Sequence, residues 1–95
     1  MRILADGVIN GTGVVLLTSK NNTLSRYILT NTGTSPATVN LYTNPSGVAR
    51  SLGLNNLVLP ASGSFTGELD LELKSGTTVT GSATGSGVEY LLLGS

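Results

Sequence analysis

Alternation of apolar and polar residues is the strongest pattern in this chain, and it occurs in several short segments. It is most regular in residues 68–73, ELDLEL, where leucines take one side and acids the other, and it recurs in 37–42, ATVNLY. Successive side chains of a strand point to opposite faces, so a period of two predicts half-buried β-strands. No window shows a sustained helical period, and glycines recur too often for a long helix.

Glycine, proline and asparagine interrupt the chain at intervals of roughly 8 to 12 residues, which is typical of sandwiches and barrels of short strands. Two hairpins are predicted, one joining 24–31 to 37–43 and the other joining 68–73 to 77–83. The fold class is therefore all-β: an antiparallel β-sandwich in one domain, residues 1–95. The predicted strands are 2–9, 14–18, 24–31, 37–43, 48–52, 56–59, 68–73, 77–83 and 88–93, and the predicted turns include 10–13, 32–36, 44–47, 60–63 and 84–87.

The N-terminal segment, residues 1–12, has two interpretations. It forms a terminal strand of the chain's own sandwich, or it is an arm that adds as a strand to the sheet edge of a neighbouring molecule. The sequence favours neither.

Three strands are apolar on both faces: 14–18, 24–31 and 88–93. In 24–31, strict alternation places Tyr27 and Leu29 on one face and Leu24 and Ile28 on the other. A small sandwich has a single interior, so the second apolar face of such a strand needs a cover. Either the terminal segment or another subunit supplies it, and the thin core of a short domain favours another subunit.

Composition excludes several function classes. The 95 residues carry five basic and five acidic side chains, a net charge of zero, so no basic stripe is available to neutralise a nucleic-acid backbone. No apolar run approaches the roughly 18 residues of a membrane span, and the start lacks the apolar run of a signal peptide. We therefore expect neither nucleic acid nor a membrane as a partner, and synthesis in the cytoplasm.

Catalytic chemistry is not expected. Histidine and cysteine are both absent, which removes the commonest general base, the thiolate nucleophile and the usual zinc ligands. Lys20 and Lys74 lie in polar turns, where neither would be desolvated enough to activate a serine. The sequence predicts no enzyme, no catalytic residue and no cofactor.

The acids Glu68, Asp70 and Glu72 share one face of a predicted strand. They could bind a calcium ion or face an arginine of a partner. The simpler interpretation is a solvated outer face, because calcium loops gather their oxygens from a tight turn.

Four segments together resemble small virion proteins of tailed bacteriophages: RYILTNTGTSPATVNLYTNPSG, LVLPASGSF, LDLELKSGTTVTGSA and VEYLLLG. The resemblance covers roughly residues 24–94 and rests on turn and core motifs. It implies an immunoglobulin-like or jelly-roll β-sandwich, with Tyr27 and Leu29 inward and Leu24 and Ile28 outward. The N-terminal third departs from the family, since LTSKNN stands where a turn resembling YTVPAG is usual.

The resemblance implies a non-enzymatic structural protein, in first place a capsid decoration (cement) protein that binds and stabilises the assembled shell. The expected partners are the major capsid protein and other copies of the chain, as a homo-oligomer with a trimer as its expected form, and the expected location is the capsid surface of the virion. The alternative is an accessory protein of the tail, neck or fibres. The candidate interface residues are Ile3, Leu4, Leu24, Ile28, Tyr42, Leu91 and Leu93.

A carbohydrate-binding module is a weaker hypothesis. Sugar platforms stack on exposed aromatic rings, and Tyr42 is the one outward candidate.

Overall fold

The computed structural model describes residues 1–44 and 50–95, and within them every regular element is a β-strand. In chain order the strands are β1 (Arg2–Thr18), β2 (Asn22–Asn31), β3 (Ala37–Thr43), β4 (Arg50–Ser51), β5 (Leu57–Leu59), β6 (Ser64–Leu73) and β7 (Thr78–Gly94). All their pairings are antiparallel. The prediction of an all-β antiparallel fold is confirmed.

The seven strands form one curled sheet in which β1 and β7 run the full length. One part, the leucine half, contains residues 2–9 of β1, residues 88–94 of β7, β2 and β6. The other part, the threonine half, contains residues 11–18 of β1, residues 78–83 of β7, β3, β4 and β5. The strand order in the leucine half is β1-β7-β2-β6. In the threonine half it is β1-β7-β3, and β4 and β5 both pair with the remaining edge of β3.

The predicted turns at 10–13 and 84–87 are wrong, because both segments lie within continuous strands. Gly11, Gly13 and Gly85 adopt φ values of 99°, 65° and 88°, a region that favours glycine. The β1–β7 register shifts on both sides of Gly11. These glycines mark bulges where the sheet bends between its halves, and a bulge carries the same residue signal as a turn.

The first predicted hairpin is also wrong. Residues 88–94 of β7 pair with β2 and residues 79–83 of β7 pair with β3, so β7 lies between the two expected partners. Segment 32–36 crosses from the leucine half to the threonine half instead of closing a hairpin. Alternation specifies the face of each residue but not the identity of the neighbouring strand.

The second predicted hairpin has the expected turn but not the expected pairing. The Thr77 N–H donates to the Lys74 carbonyl at 3.0 Å, which closes the turn. Beyond it the strands diverge: β6 pairs with β2, whereas the start of β7 pairs with β1 and β3.

A single apolar cluster fills the concave side of the curled sheet and draws on both halves. Fully buried members include Leu29 and Leu92 from the leucine half and Leu41 and Val79 from the threonine half, each 0% exposed. The inward positions predicted for 37–41 and 69–73 hold, since Ala37, Val39, Leu41 and Leu73 are buried and Leu69 and Leu71 pack partly against the cluster.

The N-terminal segment pairs within its own chain: residues 2–9 of β1 lie antiparallel to residues 88–94 of β7. The predicted turn at 44–47 and the start of the predicted strand 48–52 fall largely outside the described residues. Over 1–44 and 50–95, none of the chain forms a helix long and apolar enough to cross a membrane.

Candidate interaction surface

The convex face of the leucine half carries a strip of apolar side chains, here called the outer strip. Its members come from three adjacent strands and do not belong to the buried cluster: Ile3, Val8, Ile28, Leu91 and Leu93. Ile3 is 59% exposed and Val8 is 42% exposed, while the others are half-buried. Alternation along β7 creates the strip, because Val88, Tyr90 and Leu92 point inward.

The pairing register places these residues side by side. Leu91 lies between Ile28 of β2 and Asp6 of β1, and Leu93 lies between Arg26 of β2 and Ile3 of β1. Neighbouring side chains on one face of a sheet are close enough to act as a continuous surface. Four predicted interface residues, Ile3, Ile28, Leu91 and Leu93, are therefore brought together.

An open groove of about 380 Å³ lies on this face between β1 and β2. Val8, Ile28 and Leu91 contribute its apolar lining, while Asp6 and Glu89 contribute carboxylates. The groove could accept an apolar group of another molecule, with the two acids at its margin.

Leu24 was expected outside with Ile28, but it is fully buried, so this placement is wrong. The cause is a register shift between Leu24 and Arg26, where Ser25 is an extra residue relative to β7. The shift sets Leu24 opposite the inward Gly94 and Arg26 opposite the outward Leu93. Ser25 gives no sequence signal of a bulge.

Two further predicted interface residues lie away from the outer strip. Leu4 packs partly against the buried cluster, at a register shift between Ile3 and Ala5. Tyr42 lies on the convex face of the threonine half, half-buried opposite Thr80 and Ser51. Neither joins the other candidates on one surface.

The convex face of the threonine half is polar along β7, while its neighbouring strands add the exposed Val15 and Val58 and the half-buried Tyr42. On β7 it presents Thr78, Thr80, Ser82 and Thr84, and several of these hydroxyls are already engaged. The Gly13 N–H donates to the Ser82 hydroxyl at 3.1 Å, and the Thr38 N–H donates to the Thr84 hydroxyl at 2.8 Å. This face satisfies backbone groups of its own chain where the strands bend.

The acidic face of β6 is exposed, as predicted for a solvated face, and part of it is paired internally. Arg26 forms an ion pair with Glu68, whose side chain is 68% exposed. Asp70 and Glu72 are exposed beside it. Among the described residues, no group of three acidic side chains is placed to hold a metal ion.

Two tyrosines line the inner side of the leucine half over glycines of neighbouring strands. The Tyr27 ring lies over its cross-strand partner Gly67, and the Tyr90 ring lies over Gly7. Burial raises the pKa of both phenols, and the Asp6 charge adds to the effect on the pKa of Tyr90. They are structural side chains, with the Tyr90 hydroxyl donating to the Leu16 carbonyl at 3.4 Å.

Sequence reasoning missed Val8 as a member of the outer strip. Its neighbour Ile9 is fully buried, so alternation alone could have placed Val8 outside. Comparison with protein-family models, curated proteins and solved structures finds no match for this chain.

Proposed function

We propose that this chain is a non-enzymatic structural protein of a tailed-phage virion, a decoration protein that binds the assembled capsid. The observation that carries the proposal is the outer strip, a contiguous apolar surface on the convex side of a sheet whose concave side is already filled. Contiguous exposed apolar surface is typical of protein contact sites. The four motifs that resemble phage virion proteins supply the class of partner.

In this proposal the outer strip packs against the major capsid protein. The strip offers an apolar centre at Leu91, and the polar side chains of Asp6, Thr30 and Glu89 surround it. An apolar centre with a polar rim is the usual arrangement of a protein interface.

Stabilisation of the shell follows from mass action. A protein that binds the assembled lattice better than free subunits shifts the equilibrium towards assembly. Individually weak contacts add up when several copies bind linked sites, so self-association strengthens the effect.

The first experiment measures the copy number of this chain in purified particles by quantitative mass spectrometry. A ratio to the major capsid protein of one, or of a simple fraction, is the expected result. A few copies per particle would overturn capsid decoration in favour of the tail, neck or fibre alternative. Absence from particles would overturn both.

The second experiment tests the outer strip with matched variants. Leu91→Asp and Ile28→Asp should weaken binding to particles that lack the protein by at least about ten-fold, because each buries a charge in an apolar contact. Thr80→Asp introduces the same charge on the convex face of the threonine half and should bind as the wild type does. Equal binding by all three variants would contradict the assignment of the outer strip.

A further inference from the structure

The curled sheet has edges of unequal character. The β6 edge carries Glu68, Asp70 and Glu72, all exposed, so two copies of it would repel each other. Over the residues that the structure describes, the edge formed by β4 and β5 consists of strands of two and three residues. Acids and short strands are recognised means of preventing edge-to-edge pairing.

The β1 edge has little of this protection. It is 17 residues long, pairs with β7 on one side, and has no strand of the described chain on its other side. Its last twelve residues, GVINGTGVVLLT, contain no charge. Among the described residues, five large apolar side chains are clearly exposed, and segment 1–15 holds four of them: Met1, Ile3, Val8 and Val15.

Bulges interrupt β1 at four places, and bulges also hinder pairing. One stretch is free of them: Ala5 to Ile9 pairs with β7 residue for residue. Gly7 lies at the centre of this stretch. Its inner side is covered by the Tyr90 ring.

We propose that two copies of the chain associate by antiparallel pairing of β1 with β1, about a two-fold axis at Gly7. Residues 5–9 then pair entirely with residues 5–9 of the second copy. Residues that oppose each other across the two copies then lie on the same face of the joined sheet. Inward Ala5 lies opposite inward Ile9 of the second copy, and outward Asp6 lies opposite outward Val8. The leucine halves join into one continuous sheet of eight strands, and the two outer strips become neighbours.

The β1 edge of a second copy is a suitable pairing partner for this β1 edge. The axis at Gly7 keeps the two Asp6 carboxylates apart, whereas an axis at Asp6 would set them face to face. A β6 edge of another copy is a poor occupant, since three acids would meet a stretch that offers no basic side chain between Gly7 and Thr18. The inference deepens the self-association in the proposed function, with a two-fold dimer in place of the trimer that the resemblance implies. It is tested in solution without particles, so each proposal can fail separately.

The first test measures the mass of the free protein by sedimentation equilibrium over roughly a hundred-fold dilution series. The wild type should show a monomer–dimer equilibrium. Val8→Glu should weaken the dimer at least about ten-fold, because the introduced carboxylate would oppose Asp6 of the second copy in two places. Val58→Glu is the matched control, since Val58 is similarly exposed, at 60%, but lies in β5.

Charge reversal tests the register. Adding Asp6→Lys to Val8→Glu should restore dimerisation, because the ammonium introduced at position 6 would then oppose the carboxylate introduced at position 8 of the second copy. Val8→Glu also places a carboxylate beside Glu89 of its own chain, so circular dichroism and thermal unfolding check that each variant stays folded.

Disulfide formation gives an independent readout, because the natural chain has no cysteine. An equimolar mixture of Asp6→Cys and Val8→Cys should form the mixed disulfide faster than either variant alone forms its own. Faster linkage of Val8→Cys to itself would overturn the axis at Gly7. A wild type that is monomeric throughout, or that forms trimers, would overturn the pairing.

Discussion

The two halves of β7 are alike inside and different outside. Both halves supply fully buried inward residues: Val88 and Leu92 in the leucine half and Val79 in the threonine half. Outward residues of β7 are Glu89, Leu91 and Leu93 in the leucine half and hydroxyl-bearing side chains in the threonine half. The outward leucines do not belong to the buried cluster, and the proposed contact with another molecule rests on them.

The outward hydroxyls of the threonine half have a role within the monomer. Ser82 and Thr84 accept backbone N–H groups at 3.1 and 2.8 Å, close to where the strands bend. A bulge leaves such groups without a ladder partner, and a side-chain acceptor compensates for the loss. The convex face of the threonine half therefore helps to complete the fold, whereas the convex face of the leucine half makes no comparable contribution through its leucines.

The largest effect should come from the inward residues, equally in both halves. Leu92→Ala and Leu41→Ala each leave a cavity at a fully buried site and should lower the free energy of unfolding by about 2–5 kcal/mol. Urea unfolding followed by circular dichroism measures both.

The control for that prediction is the outward neighbour Leu91→Ala, which should cost well under half as much as Leu92→Ala. A cost for Leu91→Ala equal to that for Leu92→Ala would mean that the outer strip belongs to the core of the monomer. The comparison between the halves would then fail.

Asn31 joins the two halves and should give the next largest effect. Its side-chain amide donates to the Ser35 carbonyl at 2.9 Å and to the Leu59 carbonyl at 3.1 Å, and its oxygen accepts the Gly33 N–H at 2.9 Å. The residue is 2% exposed, so Asn31→Ala should cost about 1–3 kcal/mol by leaving buried polar groups unpaired.

Asn40 offers a matched comparison. Its side-chain oxygen accepts the Asn56 N–H at 2.7 Å in an exposed position, where water can replace it. Asn40→Ala should therefore cost less than Asn31→Ala in the same unfolding experiment. The reverse order would show that the hydrogen bonds of Asn31 do not hold segment 32–36 in place.

The sequence predicted faces well and strand partners poorly. Alternation predicted Val39 and Leu41 inside, and the resemblance implied Ile28 outside. Both placements rest on the side-chain period, which is a property of the strand itself. It could not show that β7 separates β2 from β3, since that pairing joins residues tens of positions apart and depends on a bend in β7.

Bulges account for most of the remaining errors. Gly11 and Gly85 were interpreted as turn residues because left-handed backbone is common to turns and bulges. Leu24 was misplaced because the extra residue at Ser25 shifts the alternation by one position without a glycine to mark it. Members of the candidate surface could be predicted where no bulge shifts the alternation of inward and outward residues.

The two inner tyrosines, Tyr27 and Tyr90, predict a smaller, pH-dependent effect confined to the inner side of the leucine half. The pKa values of Tyr27 and Tyr90 are raised above 10.0 because burial disfavours the phenolate. A raised folded-state pKa contributes stability that is present below the unfolded-state pKa and is lost as pH rises through the folded-state value. Unfolding free energy should therefore fall above about pH 10.

Phenylalanine variants test this assignment. Tyr27→Phe and Tyr90→Phe together should make the alkaline loss of stability shallower than in the wild type, as measured by urea unfolding at about pH 8 and about pH 11. An unchanged slope would assign the alkaline loss to other groups.

The smallest effect should come from the ion pair on the convex face of the leucine half. Arg26 and Glu68 are 38% and 68% exposed, so solvent screens their attraction, and Glu68→Gln should cost about 0–1 kcal/mol and less at high salt. Glu72→Gln, on the same exposed face of β6, is the matched control. A larger cost for Glu68→Gln would mean that the pair holds Arg26 against Leu93 and so limits the exposure of the outer strip; in that case the same variant should also change particle binding.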